Sequence, residues 1–200
     1  SPLLRVNEIK IILSKFSTSI PAFHAPMTNT LHINDIPELS KNEILSNDPN
    51  LFKFALLFLF IHEFTHSQGN QFISSDEKSF KSYFQKSGFQ LSRIDNLSPE
   101  KHRIQFLPIN EAVTDLLSLM ILRKLCNGNT IKSNWISKDN FNKFLLRYLE
   151  KKEDNYFFYC CLLIYIINIT SQKSMQTTET VFRSLVSGYN TGVDLRKEKF

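Results

Sequence analysis

The segment from Asp48 to Gly69 constrains this chain most. Between its ends a run of Phe, Leu, Ala and Ile, broken only by Lys53, leads from Leu51 to Ile61 and then into His62, Glu63, Phe64, Thr65 and His66. Aspartate followed by proline is a helix start: the carboxylate takes N–H groups that lack a helical partner, and proline fits the first helical position, where no N–H is needed. The pattern predicts a helix over about 49–67, stopped by Gly69. Phe52, Phe54, Phe58 and Phe60 recur in it at core spacing. In so apolar a helix, a carboxylate and two imidazoles are costly to bury unless something pairs with them.

His62, Glu63 and His66 form H-E-x-x-H. Helical residues four apart project from one face, so both rings can reach a single ion, and Glu63 emerges close enough to approach a water on it. With five His and eleven Glu in 200 residues, chance alone yields the pattern in roughly one such chain in 150. The plain alternative is a polar stripe on an amphipathic helix with Glu63 solvated. A four-coordinate catalytic zinc takes three protein ligands and one open position, so a third ligand has to come from elsewhere. Asn110-Glu111-Ala112-Val113-Thr114-Asp115 opens a second apolar helix, over about 109–126. Glu111 and Asp115 lie one turn apart there; one can bind the metal and the other orient a histidine.

H-E-x-x-H followed by N-E-x-x-[ST]-D resembles the gluzincin, thermolysin-like metallopeptidases. The resemblance implies that His62, His66 and Glu111 hold Zn2+, that Glu63 is the general base, that Asp115 orients His62 and that Asn110 supports His66. It implies a zincin-like metallopeptidase domain, acting as a zinc-dependent endopeptidase on a protein or peptide substrate through metal-activated water. The 45 residues from His66 to Glu111 are closer to the spacing of lethal-factor-like toxin proteases. Those place a Tyr shortly before the third ligand, where this chain has Ile104. The family also uses a Tyr or His outside the two motifs to stabilise the oxyanion; His102, Tyr83 and Tyr189 stand as candidates, and an exposed His or an interface Tyr is the commoner use of each. The alternative is a catalytically silent zincin-fold domain that binds zinc or a protein partner; the retained Glu63 speaks against it.

The remaining chain reads as one domain, 1–200, of α+β class and mainly helical, with a small N-terminal sheet within about 1–48 and a helical C-terminal half. A helix is expected over 6–16 and a strand over 28–34, with Leu31 and Ile33 on one face. By resemblance to zincins, this strand is the sheet edge that pairs with extended substrate, an ordinary paired strand being the other reading. Ser74-Ser75-Asp76-Glu77 has capping-box spacing and predicts a helix over 75–87 ending near Gly88, in an insertion beside the cleft. A single turn is expected at 98–100, and further helices over 137–151, 155–169 and 177–187. The apolar runs Phe54–Ile61 and Tyr156–Ile167 are too short to span a membrane and read as buried core. His24 and His32 read as polar surface residues, and Cys126, Cys160 and Cys161 as buried structural thiols.

The net charge of +5 is scattered, and no nucleic-acid motif accompanies it. Three cysteines, two of them adjacent, do not make a disulfide framework and favour a reducing compartment. With no secretory pattern at the start, that means a bacterial cytoplasm, or a host cytosol for an injected effector. Abundant Ile, Asn, Lys and Phe suit an AT-rich bacterial source.

Overall fold

The computed structural model describes residues 9–14, 22–25, 28–34, 48–69, 71–75, 82–95, 103–128, 133–150 and 155–192. In chain order these form strands β1 (Lys10–Ser14), β2 (Ala22–Ala25) and β3 (Thr30–Asn34), helix α1 (Pro49–Gln68), and strands β4 (Gln71–Ser75), β5 (Ser82–Ser87), β6 (Gln90–Asp95) and β7 (Arg103–Gln105). Helices α2 (Leu107–Asn127), α3 (Lys138–Glu150), α4 (Asn155–Ser174) and α5 (Thr178–Thr191) follow. The class is α+β, mainly helical. The chain divides into two compact units, Ser1–Thr65 with Thr114–Phe157 and His66–Val113 with Phe158–Phe200. The expected turn at 98–100 lies outside the described residues.

In the first unit, three strands pair in the order β1-β3-β2, with β3 parallel to β1 and antiparallel to β2. The helix expected over 6–16 is not what forms: Lys10–Ser14 is a strand, in register with Thr30–Asn34. Ile11, Ile12 and Leu13 suit either state locally, and pairing with a distant partner decides between them. The substrate-edge reading of Leu31–Asn34 also fails, because β3 is the central strand and its backbone groups are engaged on both sides. The ordinary paired strand is the one found, with Leu31 fully buried.

Helix α1 starts as its sequence predicts. The Asp48 Oδ1 atom accepts the N–H groups of Asn50 (2.9 Å) and Leu51 (3.2 Å). Those donors hold the Asp48 carboxyl below its ordinary pKa, Leu51 first and Asn50 next. From this start α1 lays Leu51, Phe54, Ala55, Phe58 and Ile61 into a core completed by Leu122 of α2 and Phe141, Phe144 and Tyr148 of α3; Ile33 packs against it. Phe144 lies 5.5 Å from Phe54 and 5.1 Å from Phe58 between ring centroids, within the range where tilted aromatic pairs attract beyond simple burial. Phe52 and Phe60 pack at its margin, as their spacing suggests. Ser137 caps α3 by accepting the Asn140 N–H (3.2 Å).

In the second unit, β4-β5-β6-β7 form an antiparallel meander. Of the helix expected over 75–87, Ser75 ends β4 and Ser82–Ser87 is strand β5 instead; 76–81 lie outside the described residues. Ser87 pairs with Gln90, leaving Gly88 and Phe89 as a two-residue turn, and Gly88 takes φ +56°, a conformation that glycine adopts without penalty. The same Ser-Gly signal reads as a helix stop if the strand partners are unknown. Tyr189 of α5 closes over this turn, its ring edge-on to Phe89 at 5.7 Å. Thr177 caps α5 through the Thr180 N–H (3.1 Å), and Gly192 ends it at φ 78°.

Helix α4 corrects a further expectation. Only one stripe of it, Cys160, Leu163, Ile167 and Ser171, is buried, while Phe158 is 64% exposed and Tyr165 62%. Over its described side chains, 158–167, the run Tyr156–Ile167 is thus not a buried core segment; helical rotation turns most of these apolar residues away from the buried stripe. Cys160 is a buried thiol as expected, but Cys161 is exposed and Cys126 half-buried, with burial raising the Cys126 thiol pKa. Among the described residues, no helix is long and apolar enough to cross a membrane.

Candidate metal centre

One continuous helix, α1, carries His62, Glu63 and His66, and the first turns of α2 carry Asn110, Glu111 and Asp115. Phe106, at φ 60°, turns the chain into α2, and its carbonyl accepts the Asn110 N–H (3.0 Å). His62 and His66, one helical turn apart, share a face as their spacing requires. One ligand atom from each of His62, His66 and Glu111 lies within 4.8 Å of the other two.

Each histidine has its own support. The His62 Nδ1 atom is 2.7 Å from Asp115 Oδ1, with the two side chains 14% and 4% exposed. A carboxylate there favours the proton on Nδ1 and leaves the Nε2 lone pair for a ligand bond. The other carboxylate oxygen of Asp115, Oδ2, accepts the hydroxyl of Tyr148. The Phe58 ring stands 6.0 Å from the His62 ring, forming an apolar wall beside it.

The His66 Nε2 atom is 3.3 Å from Glu111 Oε2. Two ligands each about 2.1 Å from one tetrahedral ion lie roughly 3.4 Å apart, so this pair already has ligand–ligand spacing. Asn110 is fully buried, and its Nδ2 lies 3.4 Å from His66 Nδ1. Its Oδ1 accepts the N–H groups of Phe89 (2.9 Å) and Gln90 (3.3 Å). The amide is thus oriented by the β5–β6 turn, which tethers the start of α2 beside His66; an amide N–H facing Nδ1 favours the ring proton on Nε2, toward Glu111, so Asn110 does not select the ligand tautomer of His66 as Asp115 does that of His62. Glu63 is buried and makes no hydrogen bond or ion pair with the described residues.

Two imidazoles and one carboxylate, all largely shielded from water, could hold a metal ion, and a donor set with two nitrogens suits a transition metal better than the oxygen-preferring Mg2+ or Ca2+. Of the residues named from the two motifs, His62, His66, Asn110, Glu111 and Asp115 are brought together. His24 and His32 are elsewhere, on β2 and β3: His24 Nε2 lies 3.1 Å from Asn29 Oδ1, and His32 stacks on Phe23 at 4.6 Å. Of the three oxyanion candidates, His102 lies outside the described residues. Tyr83 is on β5 in register with Ile94, and Ile104 is on β7 opposite Ser92. Tyr189 is fully buried against the Gly88–Phe89 turn.

Tyr148 escaped the reading of the sequence, being 33 residues from Asp115 with no spacing rule to connect them. A signal was present, since Tyr148 continues the buried stripe Phe141, Phe144 on α3 and is its one aromatic with a hydroxyl to satisfy. No protein-family model matches the chain, and no curated protein or solved structure shows significant similarity to it.

Proposed function

We propose that this protein is a zinc-dependent endopeptidase with a zincin-like, gluzincin-type centre, in which His62, His66 and Glu111 hold the metal and Glu63 is the general base. The observation that carries the reading is the convergence of those three ligand groups, with the His62 Nδ1 backed by Asp115. A bound zinc would polarise the scissile carbonyl and supply an acidic water. Glu63, next to His62 on the same helix, takes a proton from water and passes it to the leaving amine. Asp115 keeps the His62 imidazole oriented while that proton moves. The substrate is a protein or peptide.

The test is metal analysis of protein purified with zinc, beside a peptide-library cleavage assay of wild type and Glu63→Gln. The expected result is one zinc per chain in both, with cleavage by wild type and a loss of about 10²–10⁴-fold in Glu63→Gln. Absence of stoichiometric metal refutes the centre. Stoichiometric zinc with no peptide cut refutes the enzyme and leaves a metal-binding domain that does not cleave.

A further inference from the structure

We infer that Tyr148 is a positioning residue for the metal centre, acting on His62 through Asp115; the inference rests on the reading of His62 as a metal ligand. Asp115 is 3% exposed and Tyr148 5%, so little water reaches the carboxylate. Its two oxygens have separate tasks: Oδ1 faces His62 Nδ1 and Oδ2 accepts the Tyr148 hydroxyl. A buried carboxylate with one oxygen unsatisfied can rotate, which weakens its hold on the Nδ1 proton of His62. The phenol prevents this by fixing the plane of the carboxyl group with a hydrogen bond to its second oxygen.

Tyr148 is itself held. Its ring lies 5.6 Å from Phe58 and 6.0 Å from Phe144, and Phe58 in turn stands beside His62. The aromatic core therefore sets where the hydroxyl sits, and the hydroxyl sets where the carboxylate sits. This gives α3, which carries no metal ligand, a defined part in shaping the centre.

The experiment measures zinc affinity by chelator competition, together with the visible absorption of the Co2+-substituted protein, for wild type, Tyr148→Phe, Asp115→Asn and the double variant. Tyr148→Phe retains the ring and removes only the hydroxyl. The expected result is roughly 3- to 10-fold weaker zinc binding with an altered cobalt spectrum, less than the roughly 10- to 100-fold of a direct partner of a ligand because Tyr148 acts one residue further out. In the Asp115→Asn background the same change should have no further effect, because the carboxylate through which it acts is gone. Phe144→Leu, which disturbs the same aromatic stack and keeps the hydroxyl, should leave affinity within about twofold if packing alone is not the cause. Wild-type affinity and spectrum in Tyr148→Phe overturn the inference and leave the metal centre standing. A wild type that binds no metal overturns both.

Discussion

Replacing Asp115 by Asn exchanges one oxygen for an NH2 group and tests the centre at its most constrained point. The carboxylate offers acceptors on both sides, to His62 Nδ1 at 2.7 Å and to the Tyr148 hydroxyl. An amide offers one acceptor and one donor, so the two partners cannot both be served as before. If the amide nitrogen turns to His62, its N–H opposes the Nδ1 proton and drives the imidazole to the tautomer with hydrogen on Nε2, the atom needed as ligand. If the amide oxygen turns to His62, a neutral acceptor replaces a charged one and the ring nitrogen is a poorer donor to metal. Loss of such a partner typically weakens metal binding 10- to 100-fold, or about 1.4–2.8 kcal/mol. The metal-free fold should not suffer equally, because replacing a buried charge with a neutral isostere removes a desolvation cost as well as an interaction. Chelator competition for zinc, with thermal melting of the metal-free protein beside it, separates the two effects. Zinc affinity within twofold of wild type would refute the assignment of Asp115 as the group that orients His62.

Two further outcomes follow from the backbone and the caps. A Cβ at Gly88 would lie 2.3 Å from Tyr189 Cε2 and 2.6 Å from Asn110 Oδ1, at φ +56°; Gly88→Ala should therefore cost about 2–4 kcal/mol in urea unfolding, from left-handed strain plus overpacking. Zinc binding should weaken with it, since the turn tethers through Asn110 the start of α2 that carries Glu111. Asp48→Ala should lower the melting temperature at neutral pH by removing the cap of α1. The native carboxyl is held below its ordinary pKa of 3.8, so its contribution is present above that value and disappears as pH falls through the native pKa. The difference between wild type and variant should shrink over that acid range in melts recorded against pH.

What the sequence determined by itself is what depends on neighbours along the chain. Asp48, Pro49 and Gly69 bracket α1, Thr177 starts α5 and Asn127-Gly128 ends α2, because caps and stops act within one turn of backbone. The four-residue spacings His62 to His66 and Glu111 to Asp115 put paired side chains on one face for the same reason, which made the candidate cluster legible before any fold was known. Strand pairing and burial were decided only by tertiary structure. Ile11–Leu13 became a strand because Leu31–Ile33 lay alongside, and Ser82–Ser87 paired with Gln90–Asp95 as a hairpin although the Ser-Ser-Asp-Glu signal ahead of them in the sequence mimics a helix cap. The apolar surface of α4 is exposed because burial depends on what lies opposite a residue and not on its own hydropathy. The bond from Tyr148 to Asp115 belongs to the same class: two helices far apart in sequence have to pack before a phenol can steady a carboxylate.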